Sequence, residues 1–282
     1  MSSNSGTLWI VATPLGNPGD LSPRAREVLG GVDGILAEDT RRAGLLLARC
    51  NIAAPAFTSL HDHNEEERLP RLLAWLKEGK NLALISDAGT PLLSDPGYRL
   101  VRACRREGIR VSPVPGPSAP VAALSASGLP PQPFAFLGFL PRKGAERQAL
   151  FASFANLDIT LIFFERKDRL NDSLADAFAA LGLREVCIAR ELTKTYEEFL
   201  FFPLEDHTSL PDSLLGEITV LIGPPPAGRR SPLEEADAVL AEEAAQGGKA
   251  RDIARRAQRR LPGWTGKELY RRLQEQGEGE ET

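Results

Sequence analysis

Two short loops of small residues carry the pattern most typical of a ligand site. Residues 86–91 read Ser-Asp-Ala-Gly-Thr-Pro and residues 115–119 read Pro-Gly-Pro-Ser-Ala, and each follows an apolar run that predicts a strand. Loops of this kind at the ends of neighbouring strands form the ligand crevice of an open α/β sheet. Glycine lets the backbone approach a ligand closely, and Asp87 offers a carboxylate acceptor. Because neither loop carries the Gly-Lys-Ser/Thr sequence of a phosphate-binding loop, the pair predicts a site for a neutral or cationic small molecule.

A second group of candidate side chains lies in residues 190–194, Arg-Glu-Leu-Thr-Lys, at the end of another predicted strand. The carboxylate of Glu191 and the ammonium group of Lys194 can together orient a hydroxyl group or take up its proton. The alternative is a surface ion pair that contributes about 0–1 kcal/mol.

Two further polar segments leave their roles open. Asp39 could cap the helix that follows it, or Glu38 and Arg41 could orient a substrate. His61 and His63 would share one face of an extended segment, and such a pair can bind a metal. The sequence marks no third ligand, so we expect polar loop residues here and no metal site.

The net charge of −4 is distributed unevenly along the chain. Residues 249–272 contain nine basic and two acidic residues, a net charge of +7. A basic face on an acidic protein is typical of a polyanion site, although a solvated helix face gives the same count. Residues 138–144 add aromatic and basic side chains, which suit a phosphate backbone with an unstacked base. The candidate nucleic-acid contacts are Arg142, Lys143, Lys249, Arg251, Arg255, Arg256, Arg259 and Lys267.

Strand and helix patterns alternate along the first half of the chain, which predicts a parallel sheet. A proline-rich stretch near residues 129–133 breaks this alternation, and we place a domain boundary there. Residues 199–202 read Phe-Leu-Phe-Phe and fit either a further strand or a hydrophobic contact surface. The predicted units are α/β domains over residues 7–129 and 130–226, followed by a small helical module, helix-turn-helix-like, over residues 232–276.

Composition narrows the class of protein. A hydrophobic content of 42% is enough for well-packed cores, and no apolar run approaches the length of a membrane span. The amino-terminal residues show no secretory signal pattern. Cys50, Cys104 and Cys187 are scattered without metal-ligand spacing, as is typical of buried, reduced thiols. We therefore expect a cytoplasmic protein that does not associate with membranes.

The loops belong to a longer series of motifs that resembles a known family. Residues 13–17 (Thr-Pro-Leu-Gly-Asn), 37–41 (Ala-Glu-Asp-Thr-Arg), the two loops, 138–141 (Gly-Phe-Leu-Pro) and 190–194 occur in this order. Together they resemble the tetrapyrrole-methylase superfamily and, within it, the small-subunit ribosomal RNA (cytidine-2′-O)-methyltransferases. The resemblance extends from about Thr7 to the basic carboxyl-terminal segment. Each motif alone is weakly specific, whereas the ordered series is strongly specific.

The resemblance implies a parallel sheet followed by a mixed sheet, with S-adenosylmethionine bound between the two domains. The implied product is a 2′-O-methylated cytidine in the decoding region of 16S ribosomal RNA, made by a homodimer that acts on the small ribosomal subunit. The implied donor contacts are Leu15, Gly16, Asp87, Ala88, Gly89, Thr90, Pro91, Gly116, Ser118, Ala119, Leu192 and Thr193, with Glu191 and Lys194 as candidate catalytic residues.

Two other functions remain possible at this point. The same donor site could serve a tetrapyrrole acceptor, but the basic segment and Arg142-Lys143 argue against that. The chain could also be a non-catalytic RNA- or ribosome-binding factor, but both small-residue loops are intact.

Overall fold

The computed structural model describes residues 5–53, 55–210, 214–226, 231–258, 260–261 and 263–279. A parallel five-stranded sheet with strand order β3-β2-β4-β1-β5 forms the first half, as predicted. Its strands are β1 (Thr7–Val11), β2 (Gly34–Ala37), β3 (Ala56–Ser59), β4 (Leu82–Leu84) and β5 (Arg110–Val114). The helices that follow them in turn are α1 (Pro23–Gly31), α2 (Thr40–Arg49), α3 (Glu65–Lys77), α4 (Tyr98–Arg106) and α5 (Ala119–Ala126).

The second half forms a mixed five-stranded sheet with order β6-β7-β10-β8-β9. Only β6 and β7 pair in parallel, and the other neighbours are antiparallel. Residues 199–202 lie in a strand, β9, at the edge of this sheet. The elements are β6 (Phe134–Phe139), α6 (Gly144–Ala152), β7 (Thr160–Glu165), α7 (Lys167–Leu181), β8 (Glu185–Arg190), β9 (Glu198–Pro203) and β10 (Ile218–Ile222). The expected fold class is therefore confirmed.

Helix α5 connects the two sheets physically. It follows the last strand of the first sheet, yet Ala123 and Leu124 pack with Ile162, Cys187 and Leu221 of the second sheet. The helix sequence is mostly apolar, and its face that carries Ala123 and Leu124 is buried, whereas Val121 is 55% exposed. This packing fixes the loop that precedes α5 between the two sheets.

Three carboxyl-terminal helices enclose a separate small core. They are α8 (Leu233–Ala245), α9 (Ala250–Gln258) and α10 (Gly266–Gly279), and Leu240, Ile253 and Leu269 pack between them. The start of α10 has the reciprocal capping bonds that its sequence predicts. Glu268 N donates to Thr265 Oγ1 at 3.3 Å, and Thr265 N donates to Glu268 Oε2 at 2.8 Å.

The structure also describes the state of the three cysteines and the length of the helices. Cys50, Cys104 and Cys187 are buried and are not joined in disulfides. Among the residues that the structure describes, no helix has the length and apolar character needed to span a bilayer.

Candidate functional site

A cavity of about 440 Å³ lies between the carboxyl edge of the first sheet and the second sheet. The loops after β4 and β5 form one wall, and the β7–α7 junction and residues 216–219 form the other. Ligands of open α/β sheets bind at this edge. Of the residues predicted to contact a donor, those that line the cavity are Leu15, Asp87, Ala88, Gly89, Thr90, Ser118 and Ala119.

Hydrogen bonds between the loops hold the first wall of the cavity in place. Thr13 N donates to Gly89 O at 2.8 Å, and Gly89 N donates to Thr13 O at 3.0 Å. Thr90 Oγ1 donates to Pro117 O at 3.0 Å, which ties the loop after β4 to the loop after β5. Gly89 has a φ of +78°, and a Cβ there would lie 3.0 Å from a methyl carbon of Leu15. This position therefore requires glycine for both its conformation and its packing.

The other predicted donor residues do not line this cavity. Gly116 packs on Ala12, where an added Cβ would lie 3.0 Å from the alanine Cβ. Leu192 is buried in the cluster around α5. Thr193 Oγ1 accepts a bond from Asn17 N at 3.2 Å. Pro91 is buried at the end of its loop, and Gly16 lines a neighbouring cavity beneath the Lys194 side chain.

Asp95 is a cavity residue that the sequence analysis missed. Its pKa is raised to about 6, first by burial and then by the nearby carboxylate of Glu38, with smaller contributions from Asp87 and Asp62. The hydroxyl of Ser86 acts in the opposite direction, because it stabilises the charged form of Asp95. The carboxyl group precedes a Pro-Gly pair, so its local sequence indicates only a turn.

The second domain contributes an aromatic pair and several charged groups that sequence reasoning did not assign to this cavity. The rings of Phe139 and Phe164 lie 5.4 Å apart at their centroids and form part of the wall. The buried carboxylate of Glu165 accepts from Ser173 Oγ at 2.6 Å and from its neighbour Arg166 N at 2.9 Å. Phe164 and Glu165 are the last two residues of β7, and only the fold shows that this end of the strand faces the first sheet.

The Asp87 carboxylate has a protein partner. Arg42 Nη1 of α2 lies 2.8 Å from Asp87 Oδ2. Asp87 also lines both the main cavity and the neighbouring one that contains Gly16. A ligand group that binds Asp87 therefore shares this carboxylate with the guanidinium group of Arg42.

Glu191 and Lys194 form an ion pair, with Glu191 Oε1 2.9 Å from Lys194 Nζ. Glu191 Oε1 also accepts from Glu217 N at 3.0 Å, and this bond and the one from Lys194 lower the pKa of Glu191. Burial opposes protonation of Lys194, but its bonds to Glu191 and Glu217 outweigh that effect and raise its pKa. Glu191 is thus a weak base, and Lys194 keeps its proton.

Asp39 caps α2, which answers one question that the sequence left open. Its carboxylate accepts from Arg41 N at 2.9 Å and Arg42 N at 3.4 Å, and it also pairs with the Arg41 side chain at 2.9 Å. Glu38, His61 and His63 line a third, more open cavity beside the cap. In the described ranges, no group of three or more potential ligands is arranged to hold a metal ion.

Three of the basic residues in the carboxyl-terminal segment pair with acidic residues of α8 in the part of the chain that the structure describes. Arg256 Nε lies 2.8 Å from Glu243 Oε2, and the same arginine donates to two backbone carbonyls. Arg260 pairs with Glu242 and Glu243, and Arg272 pairs with Asp237. These three arginines therefore have acidic partners within the protein, and Arg256 in addition holds the end of α8 to α9.

The remaining nucleic-acid candidates differ in how freely their charges face solvent. Arg255 pairs with Asp252 at 2.7 Å and Lys143 pairs with Glu146 at 3.1 Å, both within exposed surfaces. Arg259 lies outside the described residues. Arg142, Lys249, Arg251 and Lys267 are exposed, and their side chains form no ion pair within the described ranges.

Comparisons with known proteins identify the family of this fold and site. A family model for Tetrapyrrole (Corrin/Porphyrin) Methylases matches residues 7–207. Ribosomal RNA small subunit methyltransferase I of Escherichia coli O157:H7 is 55% identical over 196 residues, which cover 69% of this chain and 68% of that relative. The protein of the same name from Mesorhizobium japonicum is 45% identical over 281 residues, which cover 97% of this chain and 94% of that relative.

A solved structure shows the same fold at low sequence identity. Uroporphyrin-III C-methyltransferase from Thermus thermophilus, complexed with S-adenosylhomocysteine, superposes with a TM-score of 0.56 and 17% identity. The superposition covers 77% of this chain and 97% of that one. The resemblance inferred from the motifs is thus confirmed. The chain belongs to the tetrapyrrole methylase family and, within it, to the ribosomal RNA small subunit methyltransferases I.

Proposed function

We propose that this protein transfers a methyl group from S-adenosylmethionine to the ribose 2′-oxygen of a cytidine in small-subunit ribosomal RNA. The observation that carries the proposal is the cavity between the two sheets, which has acidic, small and aromatic walls. The names of the relatives support methyl transfer to small-subunit ribosomal RNA, and the solved structure with S-adenosylhomocysteine supports the class of donor.

The cavity walls fit the chemistry of this donor. The donor carries positive charge on its sulfonium and ammonium groups, and Asp87, Asp95 and Glu217 provide carboxylates around the cavity. The rings of Phe139 and Phe164 are tilted by 56° to each other, and each offers an apolar face against which an adenine ring can pack. The backbone at Gly89 leaves room for close approach, which a side chain would prevent.

The residues beside the cavity position the acceptor and do not need to form a covalent intermediate. When bound, the donor supplies its methyl group to the 2′-oxygen, and the electron pair of the broken carbon–sulfur bond stays on sulfur. Holding the two reactants in line provides most of the acceleration in such a transfer. Lys194 keeps its proton, so its ammonium group is suited to hydrogen-bond the 2′-oxygen and favour loss of the hydroxyl proton to water. Glu191 holds Lys194 in position.

We also propose RNA contacts, domain bounds and an oligomeric state for this enzyme. RNA contacts are assigned to the exposed cations Arg142, Lys249, Arg251 and Lys267. The domain bounds 7–129, 130–226 and 232–276 are supported by separate apolar clusters in each part of the chain, although α5 packs across the first boundary. A cytoplasmic homodimer, acting on the small ribosomal subunit, is the proposed state of the enzyme. The exposed Phe201 on edge strand β9 is available to such an interface.

A donor-binding and transfer experiment tests this function. Calorimetry should show that S-adenosylmethionine binds the wild-type protein, and that Gly89→Val weakens binding while the circular dichroism spectrum is unchanged. Labelled methyl groups should pass to small-subunit ribosomal RNA and not to a tetrapyrrole acceptor. Transfer only to the tetrapyrrole would replace the proposed acceptor, and donor binding without any transfer to RNA or tetrapyrrole would favour a binding factor.

A further inference from the structure

A second cavity, of about 330 Å³, lies on the far side of Asp87 from the proposed donor site. Asp87 and Leu15 line both cavities, so the two spaces are direct neighbours. Helix α2 contributes four of the lining residues, and Gly16 and Lys194 also line the cavity. The proposed function as stated so far gives this cavity no ligand.

One face of α2 supplies two cations and an apolar surface to this cavity. Arg42, Leu45, Leu46 and Arg49 all line it, and their spacing places them on the same side of the helix. Leu45 is 62% exposed and lies between the two arginines along this face. Guanidinium groups beside an apolar surface are suited to a chain of alternating phosphates and sugars.

Positive charge exceeds negative charge on the cavity wall. Arg42, Arg49 and Lys194 are the cations, whereas Asp87 is the single carboxylate among the lining residues that the structure describes. Arg42 pairs with Asp87, and Lys194 pairs with Glu191 and Glu217. Arg49 is exposed and makes no ion pair within the described ranges. The guanidinium group of Arg49 is therefore available to bind an oxyanion ligand in this cavity.

We propose that this cavity binds a backbone phosphodiester of the acceptor RNA strand, with Arg49 and Arg42 as its ligands and Lys194 at the inner end. This inference rests on the proposed function, since it names a subsite for the same acceptor. Because the cavity adjoins the donor site through Asp87, a phosphate held here belongs to the acceptor nucleotide or its immediate neighbour. A phosphate on Arg42 also competes with Asp87 for that guanidinium group and leaves the carboxylate free to face the cationic donor.

The carboxylate group of the donor has the same oxyanion chemistry as an RNA phosphate. We assign the subsite to RNA because Arg49 and Leu45 are exposed to solvent, from which a polymer approaches. The two ligands predict different effects of an Arg49 substitution on donor affinity. A donor carboxylate would make donor affinity depend on Arg49, whereas an RNA phosphate would leave donor affinity unchanged.

The test compares Arg49→Gln with Arg41→Gln in the full-length protein. Arg41 lies on the same helix, but its side chain is 88% exposed, pairs with Asp39 and does not line the cavity. Arg41→Gln therefore removes one positive charge outside the cavity and is the matched control. Arg49→Lys restores the charge without the two-pronged guanidinium geometry. For each variant we would measure the KM for small-subunit ribosomal RNA, its dependence on salt, and S-adenosylmethionine affinity by calorimetry.

We expect Arg49→Gln to raise the KM for RNA about tenfold and to reduce the slope of log KM against log salt by about 0.7, as for one lost phosphate contact. Arg49→Lys should recover part of the KM, and Arg41→Gln should match the wild type. An Arg49→Gln enzyme with wild-type KM and salt slope would overturn the inference, as would weaker donor binding with unchanged KM. If the wild-type protein transfers no methyl group to RNA, the proposed function itself is wrong, and the proposed subsite is then wrong as well.

Discussion

Replacing Asp95 with asparagine should remove the pH dependence of donor binding below neutral pH. Asp95 lines the main cavity, and burial and the carboxylates of Glu38, Asp87 and Asp62 raise its pKa to about 6. A cationic donor favours the ionised carboxylate, so binding requires Asp95 to lose its proton. About nine in ten molecules are ionised at pH 7 and about one in ten at pH 5, which predicts an apparent Kd about tenfold weaker at pH 5.

Calorimetric titration with S-adenosylmethionine between pH 5 and pH 7 measures this effect. In this range the α-ammonium group of the donor stays charged, so the protein supplies the change. Asp95→Asn should bind the donor at least about tenfold more weakly at pH 7 and show no further loss at pH 5. Asp20→Asn, an exposed control outside the cavity, should follow the wild-type profile. A wild-type Kd that stays constant from pH 7 to pH 5, or an Asp95→Asn profile parallel to it, would refute the reasoning.

Three other outcomes follow from the same contacts. Because the pKa of Asp95 is raised to about 6, its ionised form destabilises the folded protein at pH 7.5, and ligand-free Asp95→Asn should melt at a higher temperature than wild type. Scanning calorimetry should show that this difference in melting temperature vanishes near pH 4. Lys194→Met should lower kcat for methyl transfer at least about tenfold without changing donor affinity, whereas Lys194→Arg should retain more activity. Equal kcat values for Lys194→Met and the wild type would exclude a hydrogen bond from Lys194 to the 2′-oxygen as part of the reaction. Arg256→Ala should lower the melting temperature by about 2 to 4 °C, whereas Arg251→Ala should leave the melting temperature unchanged and weaken RNA binding in a filter assay. An unchanged melting temperature for Arg256→Ala, or unchanged RNA binding for Arg251→Ala, would contradict the structural role of Arg256 or the RNA contact of Arg251.

The regular elements of the first domain could be predicted closely because local signals agree with the fold. Strand β2 (Gly34–Ala37) and helix α2 (Thr40–Arg49) are examples, since an apolar run and the aspartate cap at Asp39 define them locally. The small-residue loops likewise lie at the cavity, because the carboxyl ends of neighbouring parallel strands meet at one edge.

The features that the sequence did not indicate depend on contacts between distant segments. Asp95 sits in a turn sequence, and only the packing around it produces a half-buried carboxyl group. The basic segment looked like a free charged face because the acidic residues that pair with three of its arginines, such as Glu243, lie on the preceding helix. Glu191 looked like a possible base because the sequence does not show the backbone N–H of Glu217 that stabilises its charge.

The most direct test of the central claim is the chemical identity of the methylated product. Small-subunit ribosomal RNA is incubated with the protein and S-adenosylmethionine, digested to nucleosides and analysed by mass spectrometry. The account predicts 2′-O-methylcytidine, formed by the wild-type protein and reduced in Lys194→Met. A cytidine methylated on its base, or methyl groups found only on a tetrapyrrole acceptor, would contradict it.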